Sequence, residues 1–253
     1  MSSHLTVEQR GPVALITFSN PHKRNALDPP LLEALTDALR ALPEKGVRSA
    51  VLTAKESYFS SGYDIDALPD TPEAGPHPLD RALAVLADGP LPVVAALNGP
   101  AVGGGCELAA TCDLRVAHDR VTLTMPPVRL GLVYSAVGLR RFVALCGASH
   151  TRELFLTGAP VDANRALAWG LVDRVCYEQD VVPTALELAE AMARGAPLAL
   201  QGTRYALGRL EAPLPPELTA ELAELQRRAY VSEDAREARA AFREKRAPQF
   251  KGR

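Results

Sequence analysis

The sequence lacks an excess of charge of either sign. Its 28 lysines and arginines nearly balance its 30 aspartates and glutamates, so the formal net charge is −2 at pH 7. Neither a polybasic run nor an acidic block stands out. Because nucleic acid binding depends on clustered positive charge that neutralises phosphates, we do not expect nucleic acid as a partner.

Long uninterrupted apolar runs are also missing. The first residues, MSSHLTVEQR, contain no apolar core of the kind that a secretory signal needs. The most apolar stretch, residues 91–110, is interrupted by Asn98, Pro100 and Glu107, which makes it a poor membrane span. We therefore expect a cytoplasmic protein that is neither secreted nor embedded in a membrane.

Cysteine and histidine are too few and too scattered for a disulfide framework or a metal site. None of the four cysteines stands in a C-x-x-C pair, and the five histidines are spread along the chain. Metal ligands and redox pairs ordinarily occur at short, regular spacings. We expect no metal, and reduced, buried thiols at Cys106, Cys112, Cys146 and Cys176.

What the sequence does contain is a regular alternation of strand-like and helix-like segments. Short apolar runs at 13–18, 49–54 and 92–97 are typical of buried strands. After Asp28, a suitable N-cap, leucines recur at spacings of three and four, which predicts a helix with one buried face. This order favours an α/β core of stacked ββα-type units. Beyond residue 135 the chain becomes mainly helical.

The C-terminal part carries helices of a different character. Leu218, Leu222 and Leu225 form one apolar stripe, whereas SEDAREARAAFREKR has few apolar residues but acids at its start and bases at its end. That charge order matches the helix dipole. We expect this last helix to cover another surface, such as that of a neighbouring subunit. Upstream, the proline-rich residues 69–78 predict a mobile loop.

Three adjacent glycines follow the strand at 92–97. Gly103, Gly104 and Gly105 open a predicted helix, where amide groups are free and the helix dipole favours negative charge. The pattern is neither a P-loop nor a dinucleotide fingerprint. Either the glycines only allow tight strand–helix packing, or they admit a ligand oxygen. A second glycine turn, SYFSSGYDID at 57–66, could converge with the first on one oxygen and form an oxyanion hole.

Four motifs in order resemble one known family. NPHKRNALD, VLTAKESYFSSGYDI, LNGPAVGGGCELAATCDLRVA and LTGAPVDANRALAWGLVDRV together resemble the crotonase (ClpP/crotonase) superfamily, which includes enoyl-CoA hydratases and isomerases. The resemblance spans essentially the whole chain. It implies an α/β spiral of ββα units over residues 1–195 and a helical oligomerisation region over 196–253, with assembly as a homotrimer or a hexamer built as a dimer of trimers.

The resemblance also implies a substrate and a way to activate it. Members bind acyl-CoA thioesters, whose oxygen is held by two backbone amides, here those of Tyr63 and Gly104, while Glu107 faces the reacting carbons. No cofactor is implied beyond the coenzyme A that belongs to the substrate. The positions implied to bind substrate are Lys23, Arg24, Ala26, Ser61, Asp64, Ile65, Val102, Pro127, Leu132 and Lys251.

Several of these positions have a second interpretation. Lys23 and Arg24 either hold the phosphates of coenzyme A or are solvated loop charges, and Asp64 is more typical of a helix cap than of a catalyst. Lys251 either reaches coenzyme A from a neighbouring subunit or belongs to a frayed tail. Tyr134 is either catalytic or a packed aromatic whose hydroxyl is satisfied by backbone.

One position departs from the hydratases of the family. They carry a second glutamate in a Pro-Glu pair, whereas here Pro126 is followed by Pro127, and no Asp or Glu lies nearby in the sequence. The methylmalonyl-CoA decarboxylase branch also has proline at that glutamate position and tyrosine at position 134, but it has histidine where Tyr63 stands and threonine where Pro126 stands. The chain therefore agrees with that branch at two of these positions and differs from it at the other two.

Three hypotheses for the function stay open. The first is an acyl-CoA lyase, with decarboxylation of a malonyl-type CoA ester favoured over hydration because loss of CO₂ needs no base. There Tyr134 or Glu107 would return a proton, and the apolar wall would come from Pro126, Pro127, Val128 and Leu132. The second is an enoyl-CoA isomerase that uses Glu107 alone, and the third is a non-catalytic scaffold with the crotonase fold.

Overall fold

A parallel sheet forms the centre of the computed structural model, which describes residues 4–67, 75–210, 217, 220, 223–224, 227–228 and 230–249. Within them, six strands follow one another across this sheet in the order β1-β2-β3-β4-β6-β9. Their bounds are β1 Leu5–Arg10, β2 Val13–Phe18, β3 Ser49–Ala54, β4 Val93–Leu97, β6 Leu114–His118 and β9 Arg174–Cys176. Only the β1–β2 hairpin is antiparallel among the pairs of this sheet. Every residue of β3 and β4 is buried, as expected for strands covered on both faces.

A small second sheet lies beside the first. It consists of β5 Ala101–Val102, β7 Thr122–Thr124 and β8 Val161–Asp162, in the order β5-β7-β8. The isolated bridge between Ser60 and Ala101 connects the loop after β3 to this sheet. Since the two predicted glycine turns follow β3 and β4, this sheet holds their loops against each other.

Helices cover both faces of the main sheet. Their bounds are α1 Pro29–Ala41, α2 Pro78–Asp88, α3 Gly104–Thr111, α4 Ala136–Thr157, α5 Ala163–Ala168, α6 Val181–Arg194, α7 Pro197–Leu210 and α8 Glu233–Arg243. Small residues of α6 pack on one face of the sheet, and α1, α2 and α3 contribute to the core on the other face. The Asp28 carboxylate accepts the Leu31 N–H at 2.8 Å, so the predicted N-cap of α1 is confirmed. The predicted α/β core is likewise confirmed.

The last helix covers the protein's own chain. Ser232 caps α8 by accepting the Ala235 N–H, and Ala235, Ala238 and Ala241 are buried. A Cβ added at Gly131 would lie 2.9 Å from the Ala235 nitrogen, so α8 packs directly on the turn that follows β7. The small alanine face explains how a helix with few large apolar residues can pack closely, and the surface it covers lies within this subunit.

Some predictions cannot be compared with the structure. The leucine stripe at Leu218, Leu222 and Leu225, and residues 69–74 of the predicted loop, lie outside the described residues. The predicted boundary at residue 195 falls between α6 and α7, and the division into two regions stays a prediction. Among the described residues, no helix is long and apolar enough to cross a membrane.

Candidate active site

The two glycine turns meet in space. Gly62 has a φ of +94° and Gly103 a φ of +52°, backbone conformations that residues other than glycine rarely adopt. A Cβ added at Gly62 would lie 2.7 Å from the Val102 carbonyl oxygen and 3.5 Å from the Gly104 nitrogen. The Val102 N–H donates to the Ser60 carbonyl at 3.0 Å, which holds the two loops together. The two turns therefore lie against each other, and the oxyanion hole that they could form stays a prediction.

The remaining two glycines of the triplet are explained by close packing. A Cβ added at Gly104 would lie 2.9 Å from Cδ2 of Leu79 and 3.5 Å from the Tyr63 nitrogen. A Cβ added at Gly105 would lie 2.6 Å from the Ser60 Cβ. Tight packing therefore accounts for two glycines of the triplet, and access of a ligand oxygen to their amides stays a prediction.

The backbone nitrogens of Tyr63 and Gly104 lie near each other where the two turns meet. Helix α3 begins at Gly104, where a first-turn N–H has no acceptor within the helix. The Leu27 N–H donates to the Gly62 carbonyl at 2.8 Å, and the Asp64 N–H donates to the Leu27 carbonyl at 3.0 Å. Because successive peptide groups of an extended segment alternate in direction, the Tyr63 N–H points away from Leu27.

Glu107 is a buried carboxylate with two strong partners. It is 3% exposed and lies in the first turn of α3. Arg141 donates to its Oε1 at 3.0 Å, and the Tyr134 hydroxyl donates to its Oε2. Burial raises the pKa of Glu107, while the Tyr134 hydrogen bond and the Arg141 charge oppose that rise, and the nearby Asp80 adds to it.

Tyr134 is fixed by its ring as well as by its hydroxyl. The ring packs edge-to-face on Phe155 with centroids 5.3 Å apart. A Cβ added at Gly138 would lie 2.7 Å from both Glu107 Oε1 and Tyr134 Cε1, so a larger residue there would displace these side chains. Burial and the neighbouring Glu107 raise the pKa of Tyr134 well above 10, which keeps the phenol protonated. The interpretation in which backbone satisfies this hydroxyl is wrong, because its acceptor is Glu107.

A cavity of about 1130 Å³ opens over the two turns and Glu107. Nearly every residue that the sequence implicated lines it, and Lys251 lies outside the described residues. The lining residues from that set are Lys23, Arg24, Ala26, Ser61, Tyr63, Asp64, Ile65, Val102, Gly104, Glu107, Pro127, Leu132 and Tyr134. Pro126 also lines the cavity, but Val128 does not, and its side chain is 39% exposed. The prediction that Val128 forms part of the apolar wall is therefore wrong.

The charged residues at one end of the cavity have protein partners. Lys23 donates to Asp64 at 2.7 Å, and the same Asp64 accepts the Asp66 N–H at 3.2 Å. The latter bond confirms that Asp64 caps a local turn. The Arg24 guanidinium lies 5.2 Å from the centre of the Tyr58 ring. Both basic residues face the cavity, so their partners position them there.

Three residues of the site were missed by the sequence analysis. Arg141 comes from α4, whereas His77 and Asp80 come from the first turn of α2 and its cap. The His77 ring lies 4.5 Å from the Tyr63 ring, and both His77 and Asp80 line the cavity. No sequence motif predicts these three residues, because only packing brings α2 and α4 to the glycine turns. Within the described part of the chain, no three His, Cys, Asp or Glu side chains cluster as metal ligands would.

The spiral α/β fold with two converging glycine turns is that of the crotonase class. A sequence model of the enoyl-CoA hydratase/isomerase family matches residues 8–253, so the chain belongs to that family. It is 33% identical over 254 residues to 2,3-dehydroadipyl-CoA hydratase of Escherichia coli (strain K12), covering 99% of this chain and 100% of that protein. It is 34% identical over 263 residues to carnitinyl-CoA dehydratase of Salmonella typhi, covering 100% of both chains.

A solved structure of a decarboxylase, rather than a hydratase or dehydratase, has the same fold as this chain. The structure of methylmalonyl-CoA decarboxylase in complex with 2-nitronate-propionyl-CoA has a TM-score of 0.93 and 30% identity, covering 99% of each chain. The predicted fold class is confirmed. The chain is an acyl-CoA-processing enzyme of the crotonase superfamily.

Proposed function

We propose that this enzyme is a lyase that decarboxylates a malonyl-type CoA thioester through an enolate. The observation that supports the proposal is the close approach of the Tyr63 nitrogen to Gly104, beside a cavity wall that includes Pro127. Two amides can hold the thioester oxygen as it gains negative charge. One such donor contributes about 2.7–4 kcal/mol to lowering the barrier.

The reaction balances without a base. The bond between Cα and the carboxylate breaks, CO₂ leaves, and the electron pair stays behind as the enolate. The apolar wall around Pro126, Pro127 and Leu132 disfavours the charged carboxylate and so favours its loss. One proton then has to reach Cα. Because the protein amides stabilise the enolate, the reaction calls for no cofactor beyond the coenzyme A of the substrate.

Hydration of an enoyl-CoA is the second candidate. The relatives at 33% and 34% identity are a hydratase and a dehydratase. For water addition, ionised Glu107 would accept a proton from water while the amides hold the enolate oxygen. The missing glutamate at Pro127 counts against this reaction, since hydration ordinarily uses a second acid–base group. Isomerisation by Glu107 alone ranks below both.

Parallel assays with two substrates test the choice. The enzyme is incubated with methylmalonyl-CoA and, separately, with crotonyl-CoA. Release of CO₂ with negligible addition of water supports decarboxylation, and the reverse pattern shows that Glu107 suffices for hydration. Turnover of neither ester, with no exchange of Cα protons in any acyl-CoA, would instead support the non-catalytic scaffold.

We also propose that the chain assembles as a homotrimer or a dimer of trimers. Helix α7 carries large apolar side chains that a lone subunit leaves in water, with Leu198 86%, Tyr205 64% and Leu207 61% exposed. Such a patch is typical of an interface. Sedimentation at micromolar concentration should give a trimer or a multiple of it, and monomer alone would contradict the proposal. A cytoplasmic location stays a prediction.

A further inference from the structure

A second carboxyl group lies on the wall of the cavity that holds Glu107. Asp80 is the third residue of α2, whose first turn stands over the glycine turn, because Leu79 packs against Gly104. Asp80 lines the same cavity as Glu107 and Tyr134. Helix α2 therefore supplies an acid to the site from a segment far from Pro127 in the sequence.

The two carboxyl groups differ in what they can do. Glu107 is 3% exposed, and its two oxygens accept from Arg141 and Tyr134, so protein donors already occupy it. Asp80, in contrast, is exposed and lines the cavity. A group that exchanges protons between substrate and solvent must reach both. Asp80 is therefore better placed for this exchange than Glu107, which lines the same cavity but is almost fully enclosed by protein.

The other acids on the cavity wall are held in ion pairs. Asp64 pairs with Lys23 at 2.7 Å, and Asp66 lies 3.8 Å from Arg243. Both belong to the loop after the first glycine turn. These two carboxylates therefore already have cationic partners within the protein.

The surroundings of Asp80 favour its protonation more than usual. Reduced solvation by the cavity walls raises the pKa of Asp80, while the charges of His77 and Arg141 and a hydrogen bond from the His77 backbone oppose the rise. Glu107 of α3 and the Tyr134 hydroxyl are the further titratable groups that Asp80 influences. A raised pKa is what a carboxylic acid needs in order to donate near neutral pH.

We propose that Asp80 is the catalytic acid that protonates Cα of the thioester enolate, a role resting on the proposed enolate chemistry. The electron pair at Cα takes the hydroxyl proton of Asp80, which becomes a carboxylate and regains a proton from solvent. In the reverse direction, the Asp80 carboxylate removes a Cα proton from the product. Asp80 thus supplies the acid–base group that the family's hydratases place at the position of Pro127.

A structural role for Asp80 has a different signature. As the third residue of α2 it also accepts a backbone N–H from His77, so it contributes to the helix cap. Asp80→Asn keeps an oxygen that can accept this bond but carries no proton at the required acidity. Asp88→Asn, at the exposed C-terminal end of the same helix, is the matched control.

The experiment follows exchange of Cα protons of propionyl-CoA in deuterated water, by mass spectrometry, over a range of pH. Propionyl-CoA has no carboxylate to lose and no double bond to hydrate, so exchange isolates proton transfer. We expect Asp80→Asn to slow exchange by about 100-fold or more, the usual contribution of a general acid–base group. We also expect it to lose the rise of exchange with pH that accompanies ionisation of Asp80. Asp88→Asn should match the wild type in rate and pH profile, and both variants should keep its melting temperature.

The outcomes separate the two proposals. Wild-type exchange that persists unchanged in Asp80→Asn but disappears in Glu107→Gln overturns the role of Asp80 and leaves the enolate mechanism standing. An unaltered pH profile in Asp80→Asn, with slower exchange and a lower melting temperature, shows that Asp80 acts only as a cap. Absence of exchange in the wild type refutes the enolate chemistry, and the role of Asp80 with it.

Discussion

Replacing Arg141 tests how strongly its positive charge stabilises the buried carboxylate of Glu107. Arg141→Met keeps an unbranched apolar stem but removes the guanidinium that donates to Glu107 at 3.0 Å. The side chains are 15% exposed at Arg141 and 4% at Glu107, so the lost cation leaves a carboxylate with almost no access to water. Removing one partner of a buried pair typically costs about 3–5 kcal/mol.

The cost should depend on pH in a defined direction. Burial already raises the pKa of Glu107 above 4.5, and Arg141 opposes that rise, so the variant has a still higher folded-state pKa. A group with a raised folded pKa contributes stability that is complete below its unfolded pKa and is lost as pH rises through the folded value. We therefore expect Arg141→Met to lose most stability at pH 8 and much less near pH 5.

Urea unfolding at the two pH values, followed by circular dichroism at equal protein concentration, measures this loss. Arg120→Met removes one side of the Arg120–Glu178 surface pair, whose side chains are 70% and 57% exposed, and should lower the stability little at either pH. Adding Glu107→Gln to Arg141→Met should restore much of the stability at pH 8. Equal losses at both pH values, or no recovery in the double variant, would refute the reasoning.

Two glycine substitutions, each with a control, test the two turns. Gly104→Pro removes one amide donor and should lower the turnover number by about 10²–10³-fold. Gly202→Ala is the control and should keep the wild-type turnover number, because an added Cβ there meets nothing within 4 Å. Comparable turnover in the two variants would show that Gly104 is not a donor. Gly62→Ala adds a Cβ 2.7 Å from the Val102 oxygen at a φ of +94°, and Gly11→Ala adds one in open space at +60°. Both substitutions should lower the free energy of unfolding by about 1–2 kcal/mol, because alanine is unfavourable at positive φ. Only Gly62→Ala should also lose activity. Thermal melting and turnover assays of the two variants decide whether the close contact at Gly62 matters.

The sequence predicted those features of the site that depend on local pattern. The glycine triplet and the helix from 104 to 111 follow from one short run, since glycine and a buried strand have strong local preferences. The limits of α5 are likewise set by local residue types, since Asp162 accepts the Arg165 N–H and Gly170 has a φ of +78°. These features do not require knowledge of distant contacts.

The rest of the site depends on contacts between distant segments. Arg141 has no sequence signal that distinguishes it from Arg140, because only the direction of α4 relative to α3 places it on Glu107. Asp80 resembles an ordinary first-turn acid of a helix, and packing of Leu79 against Gly104 gives it a place at the site. The partner of the Tyr134 hydroxyl was ambiguous for the same reason.

The central claim is that the Tyr63 and Gly104 amides hold the thioester oxygen. A crystal structure of the enzyme with an unreactive acyl-CoA analogue measures this directly. The account predicts the analogue's carbonyl oxygen about 2.7–3.1 Å from both nitrogens, with its Cα facing the Glu107 and Asp80 side of the cavity. A carbonyl oxygen bound instead to Lys23 or Arg24, or beyond hydrogen-bonding distance of either amide, would contradict it.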